Sequence, residues 1–288
     1  MNGTIVLKVV IKLSKKGEPL LKKVVITNLK GGVAKTTNTF NIASVLSEKH
    51  KVLVVDIDPQ CSITGDFRID YTNQELPSAA MIFNNDIKNQ PSADDVIIKH
   101  PFPELPNLDI IPNSTLMFLS EMILAAKAAR ERVLESFFRR NEKVLNKYDY
   151  VFFDTQPLMS IININAFYLA DSIIFTSDTS RESLEGAELF DSIWSQNRDI
   201  LMKEDNVRAM FICRANVSRD AQSRDILDYV HTEDFPMHEI VTKTYIPFSA
   251  KIGKTGLLRT PINVLFKKDS IKKRYETLIA ELKEMEAL

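Results

Sequence analysis

The sequence predicts an α/β fold, a doubly wound and mostly parallel sheet flanked by helices. Three observations carry that expectation. Apolar β-type runs alternate with helical patterns along the chain. Several runs, such as 51–57 (KVLVVDI) and 149–154 (DYVFFD), are nearly continuous, as strands buried on both faces are. The first run, Val24-Val25-Ile26-Thr27, leads into the turn Lys30-Gly31-Gly32-Val33-Ala34-Lys35-Thr36-Thr37 and then a helical pattern of Asn41, Ile42, Ala43, Val45 and Leu46.

Taken in order, residues 4–13 (TIVLKVVIKL) are β-branched and precede a turn-like 14–19 (SKKGEP). They suggest an N-terminal arm or extra strand over 1–21, too short for a helix-turn-helix domain. A single domain is expected over 22–288, because no repeat or low-complexity linker interrupts it. Strands are expected at 22–28, 51–57, 108–112, 149–154, 172–176, 207–213 and, finally, 240–246. Helices are expected at 35–48, 182–202, 217–231 and 265–286. Residues 60–106 look looser, with Pro77, Pro91, Pro101, Pro103 and Pro106. Ser114 is the expected N-cap of a helix with Leu116, Leu119 and Ile123 on one face, and Val133, Leu134 and Phe137 mark another. Phe137, Phe138 and Trp194 suit the core.

Composition bounds the function. Hydrophobic content of 44% and charged content of 26% are those of an ordinary globular protein. The formal net charge of −1 excludes a polycation, so nucleic-acid contact would need a local patch. Cys61 and Cys213 are isolated, which argues against a disulfide framework, a zinc site or an iron–sulfur cluster. No apolar run approaches the roughly 20 residues of a membrane span. Lys8 and Lys12 interrupt the apolar run at Ile5-Val6-Leu7 and no cleavage site follows, which argues against a signal peptide. A cytoplasmic location is expected. His50, His100, His231 and His238 have no ligand spacing and suit surface or loop positions.

The chemistry begins at the glycine turn. A glycine-bearing loop between strand and helix, ending in Lys-Thr, is the layout of a phosphate-binding loop. Backbone N–H groups at the helix start point at an anion and the helix dipole adds to the field. Lys35 would reach the β- and γ-phosphates and the Thr36 hydroxyl would ligate Mg²⁺. The general pattern G-x-x-x-x-G-K-S/T is broken at Leu29 and Ala34. If the loop needs positive φ at residue 34, alanine carries about 1 kcal/mol or more of strain there. Asp56 and Asp58 end a buried strand, where ligands gather in parallel sheets, and period-two spacing sends both to one side. An Asp pair in that place also serves as a turn or helix cap. An acid about 20 residues after a glycine loop can bind a dinucleotide ribose, but Lys35-Thr36 argues against that reading. Asp154 ends another apolar strand and would hold Mg²⁺, directly or through water.

The string KGGVAKTT resembles KGGVGKTT, the deviant Walker A loop of the ParA/MinD family of ATPases. VLVVDIDPQ resembles its Walker A′ segment, except that Cys61 follows where glycine is usual. YDYVFFDTQP resembles its Walker B segment, with Gln156 replacing the first proline of D-x-P-P and Pro157 kept. Ser183-Leu184-Glu185-Gly186, Thr244-Tyr245-Ile246-Pro247 and the Gly256 to Pro261 stretch resemble later family segments. The likeness covers about 22–286 and is to partition ATPases in particular. It implies ATP and Mg²⁺ as cofactors, bound by Lys30, Gly31, Gly32, Val33, Ala34, Lys35, Thr36, Thr37 and Asp56. Catalysis would rest on Lys35, on Lys30 reaching across a dimer interface, and on Asp58 orienting the attacking water. Asp56, with Thr36 and Asp154, would support the metal shell. The resemblance further implies slow hydrolysis within an ATP-closed homodimer, non-specific binding to double-stranded DNA on the nucleoid, and a ParB-like centromere-binding partner in plasmid or chromosome segregation. Residues 251–274 hold Lys251, Lys254, Arg259, Lys267, Lys268, Lys272, Lys273 and Arg274 against Asp269, a basic face that could track phosphates or form a salt-bridged helix surface. Alignment singles out Arg219 and Lys251 as DNA contacts, with Lys254 beside them.

Three other readings stay open at this point. A MinD-like membrane-associated regulator would need a basic amphipathic C-terminal helix, and LIAELKEMEAL is acidic. A nitrogenase iron-protein type would need bridging cysteines. A non-hydrolysing nucleotide switch is suggested by Ala34 and Gln156.

Overall fold

The computed structural model describes residues 21–288. The arm expected at 1–21 lies outside the described residues, apart from Leu21. The chain runs β1 (Lys22–Thr27), α1 (Lys35–Leu46), β2 (Val52–Asp56), α2 (Ser62–Asp66), α3 (Ala79–Asn84), α4 (Ala93–Val96) and β3 (Leu108–Ile111). It continues through α5 (Ser120–Ala125), α6 (Val133–Arg140), α7 (Glu142–Leu145), β4 (Tyr150–Asp154), α8 (Ile161–Leu169), β5 (Ser172–Ser177), α9 (Arg181–Ile200), β6 (Val207–Ala215) and α10 (Ala221–Tyr229). It ends with β7 (Ile246–Pro247), α11 (Ala250–Leu257), α12 (Ile262–Leu265) and α13 (Ser270–Glu284).

The seven strands form one sheet in the order β3-β2-β4-β1-β5-β6-β7, and every ladder is parallel. The apolar runs explain this. Strand residues alternate between two cores, Val25, Val55, Phe153 and Phe175 on one face and Val24, Val54, Phe152 and Ile174 on the other. Helices α3, α6, α8 and α9 cover the first face, with Phe137, Phe138 and Trp194 buried there as expected. Helices α1, α12 and α13 cover the second. β1 lies between β4 and β5, and the chain leaves β1 toward β2 on one side but leaves its neighbour β5 toward β6 on the other. The crevice at its carboxyl end is where ligands bind in such folds.

Helix α1 buries polar side chains that serve as fasteners to the C-terminal segment. The Tyr275 hydroxyl donates to Asn38 Oδ1 at 2.9 Å, the Ile262 N–H donates to Asn41 Oδ1 at 2.8 Å, and Asn263 Nδ2 donates to the Ser44 carbonyl at 2.9 Å. Lys22 Nζ donates to the Glu286 carbonyl at 2.7 Å, and Ala287 is buried.

Several expected boundaries move. The last strand is not 240–246. His238–Ile240 is a 3₁₀ turn, Val241 makes one bridge to Met210, and pairing resumes only at Ile246 beside Cys213. The helix expected from 217 begins at Ala221, because the Asp220 carboxylate accepts the Gln222 and Ser223 N–H groups. The helix expected from 265 begins at Ser270, where Asp269 accepts the Ile271 N–H, and the short α12 precedes it. Residues 60–106 contain three short helices. After Ser114 comes a 3₁₀ turn, and the Ser114 hydroxyl meets Ser78 Oγ at 3.0 Å instead of capping it. Leu119 is exposed, while Met117 and Leu124 are buried in its stead.

Candidate active site

The loop after β1 is tied down along its length. Asn28 is fully buried at its start, and the Lys30 N–H donates to Asn28 Oδ1 at 2.8 Å. Gly32 has φ +80. Val33 faces inward, and its carbonyl accepts Thr176 Oγ1 and Cys213 Sγ, both at 3.3 Å. Ala34 sits at the N-cap of α1 with φ 60 and ψ 29, so the conformation that favours glycine is held by an alanine. No side chain caps α1, which leaves its first amides to an incoming anion. Lys35 Nζ donates to the Lys30 carbonyl at 2.9 Å. Burial lowers the Lys35 pKa, and the Asp154 and Asp58 charges oppose that shift.

Three carboxylates meet at the carboxyl ends of β2 and β4, where Asp56 and Asp154 are register partners. Thr36 Oγ1 donates to Asp154 Oδ2 at 2.9 Å, while Asp154 Oδ1 is buried with no hydrogen-bond partner. Burial and then the charges of Asp56 and Asp58 push Asp154 well above the usual carboxylate range. A buried carboxyl oxygen without a partner, beside a hydroxyl, fits a hard divalent cation that would take the place of its proton. Asp56 faces inward instead. Its Oδ1 accepts the Asp58 N–H at 3.0 Å and its Oδ2 accepts the Thr64 N–H at 3.1 Å and hydroxyl at 2.5 Å. Burial lifts Asp56 to about 7, against the Thr64 bonds. Period two therefore does not bring both acids to the cleft. Asp58 lines the cleft, and Asp56 shapes the turn that presents it. Burial raises Asp58 too, with the Gln60 N–H and Lys35 opposing.

These groups open into a cleft of about 530 Å³. One wall holds Gly31, Gly32, Ala34, Lys35, Thr36 and Thr37, with Asp58 at the end. The other holds Arg214, Pro247, Phe248, Ile252 and Gly253. The sequence singled out Ile246, Pro247 and Gly256 only as part of a family segment, and nothing in it marked Arg214. Arg214 Nη1 donates to the Gly32 carbonyl at 2.7 Å across the cleft. Lys30 is exposed at the loop's outer edge. In the loop after Asp154, Gln156 Nε2 donates to Ser160 Oγ at 2.9 Å, and Asn163 Nδ2 donates to the Gln156 and Leu158 carbonyls at 2.8 and 2.6 Å. Cys61, at φ 54, occupies a second left-handed position where the resemblance expects glycine.

The basic candidates do not form one open face. Arg219 and Lys254 are exposed, but Lys251 is ion-paired with Asp269 and lies 5.8 Å from the Phe266 ring centre. Lys272 bonds Glu48 at 2.9 Å and Glu276 at 3.3 Å, and Arg274 stacks 4.8 Å from the centre of Tyr245. The salt-bridged surface is thus real for part of 251–274.

A lysine-bearing phosphate loop that opens a helix, facing an aspartate bonded to the helix's own threonine, defines a P-loop nucleotide-binding protein. Within that class the chain belongs to the AAA domain family, whose profile matches residues 21–204, and it is a P-loop ATPase of the ParA/MinD type. It is 31% identical over 247 residues to the sporulation initiation inhibitor protein Soj of Bacillus subtilis, covering 84% of this chain and 90% of that one. It is 30% identical over 199 residues to the chromosome partitioning protein ParA of Myxococcus xanthus, covering 67% and 66%. Its fold is similar to that of apo McdA from Cyanothece, with a TM-score of 0.75 at 19% identity over 92% of this chain and 99% of that one.

Replacing Ala34 by glycine should relieve the left-handed strain and raise unfolding stability by about 0.5–1 kcal/mol. Urea melts check this, and equal or lower stability would show that the loop carries no strain there. A second expectation concerns pH. Asp56 and Asp154 are raised above the unfolded carboxylate value of about 4, so the folded chain holds protons that the unfolded chain has released. Their contribution is present at low pH and is lost as pH rises through the folded values. Relative to the unsubstituted protein, Asp154→Asn should gain stability as pH rises from about 5 to about 8 without metal or nucleotide. It should also lose Mg²⁺-dependent nucleotide binding. Melts that stay parallel at every pH would contradict the burial account.

Proposed function

We propose that the chain is a slow, Mg²⁺-dependent ATPase that dimerises on binding ATP. In this reading it holds duplex DNA without sequence preference and drives plasmid or chromosome partition with a centromere-binding protein. The observation that carries the nucleotide part is the partnerless Asp154 Oδ1 beside the Thr36 hydroxyl, at the mouth of a loop whose lysine rests on a backbone carbonyl. Thr36 and Asp154 would hold the metal, with Asp56 supporting them by fixing the Asp58 turn. Bound Mg²⁺ would neutralise charge on the β- and γ-phosphates. Lys35 exchanges the Lys30 carbonyl for phosphate oxygens, and the loop amides from Gly31 to Thr37 cradle the rest. Asp58, in the cleft lining and within the field of Lys35, orients the attacking water. Lys30, exposed at the loop edge, reaches the nucleotide of a second copy.

The partition role draws on the relatives named Soj and ParA. Exposed Arg219 and Lys254 support contact with DNA phosphates on the nucleoid, in the cytoplasm, and Lys251 joins them only by leaving Asp269. A membrane-facing C-terminal helix is less well supported. The apolar face of α13, with Ile271, Tyr275, Leu278 and Leu282, is packed inside. No helix among the described residues is long and apolar enough to cross a membrane. Cys61 and Cys213 are both buried, which does not suit a bridging cluster.

Lys30→Ala should bind MgATP normally, yet lose ATP-dependent dimers in sedimentation and lower turnover by at least about ten-fold. Turnover equal to that of the unsubstituted protein would count against the cross-subunit role. Arg219→Glu should keep the ATP dimer, weaken duplex binding and flatten its log–log salt dependence by about one unit or more. The same affinity throughout a salt titration would remove Arg219 from the interface.

A further inference from the structure

The geometry points to Asn28 as the positioning residue for Lys30, held in that role by helix α9. Asn28 leaves β1 fully buried, and its amide touches three elements at once. Oδ1 accepts the Lys30 N–H at 2.8 Å. Nδ2 donates to the Thr176 carbonyl in β5 at 3.0 Å and to the Ser183 carbonyl in the first turn of α9 at 2.9 Å. Asparagine offers two donors and an acceptor on one short planar group. Aspartate would lose both donors, and serine could not span the three partners.

Gly186 makes the arrangement possible. A Cβ there would sit 2.7 Å from Asn28 Oδ1 and 3.3 Å from the Lys30 nitrogen. The Asn28 amide cannot swing aside, because both its ends are bonded in the core. Any side chain at 186 would therefore displace either α9 or the start of the loop. Helix α9 is pressed against the loop at Lys30, whose side chain is exposed.

Lys30 is thus fixed by its N–H while its carbonyl receives Lys35. When Lys35 moves to phosphate, that carbonyl loses its partner, but the Asn28 bond remains. Asn28 keeps the Lys30 backbone in place through the exchange, so the long side chain projects from a fixed base. This rests on the reading that Lys30 acts across a dimer, and its role follows from pre-paid ordering of a flexible side chain.

Two measurements test it. In hydrogen exchange of the full chain, the Lys30 amide should be protected, and Asn28→Ala should abolish that protection while Val24 to Ile26 in β1 keep theirs. An unprotected Lys30 amide in the unsubstituted protein, or one still protected in Asn28→Ala, overturns the proposal. In steady-state assays, Asn28→Ala should bind MgATP within about three-fold of normal yet turn over at least about ten-fold more slowly. Adding it to Lys30→Ala should cause no further loss, since residues acting as a unit are non-additive. Losses that multiply, or an affinity that falls as far as the rate, overturn it. If Asn28→Ala melts early, Gly186→Ala attacks the same contact from α9 and should show the same split. Full turnover by Lys30→Ala would sink the dimer reading alone, because the exchange result still decides whether Asn28 holds the loop.

Discussion

Everything at the functional edge depends on three acids gathered where two central strands stop. The β2–β4 ladder sets Asp56 directly beside Asp154, about 4.8 Å apart at the backbone, and Asp58 follows two residues on. Burial makes their charges costly, and only Lys35 faces Asp58 and Asp154 from the loop. The fold resolves this unevenly. Asp56 is satisfied by Thr64 and the Asp58 N–H, Asp58 accepts the Gln60 N–H and feels the Lys35 charge, and Asp154 keeps one oxygen unmet. One unmet carboxyl oxygen at the strand end suits a small cation that displaces its proton.

That edge is only as rigid as helix α1, which has two duties. Its first turn presents amides to the cleft, and its later turns fasten the C-terminal helices through Asn38, Asn41 and Ser44. The stretch from Pro247 to Gly256 is tied to the same helix by Asn41 Nδ2, which donates to Thr255 Oγ1 at 3.4 Å. Arg214 closes the circuit by holding the Gly32 carbonyl from that far wall.

The central strands were legible because burial on both faces leaves an uninterrupted apolar run, as in 51–57 and 149–154. The edge strand β7 was not, because 240–246 is rich in β-branched residues yet pairs only through a single bridge at Val241 before Ile246. Helix starts were misread by four or five residues where a capping aspartate, Asp220 or Asp269, lay inside the apolar pattern. In the site, residue types at Lys35, Thr36, Asp58 and Asp154 announced their chemistry through spacing. Which way Asp56 turns depended on Thr64, eight residues away, and the ion pair of Lys251 on Asp269, eighteen away. Such pairings exist only after folding. The left-handed backbone at Ala34 likewise leaves no trace in the residue itself; glycine would have signalled it.

The grip of Tyr275 on Asn38 has a consequence for anyone handling this protein. Helix α13 looks like a dispensable charged tail, but its Tyr275 holds Asn38, a residue of the cleft lining, and burial continues as far as Ala287. Clipping the last few turns would unseat α1 rather than trim an appendage.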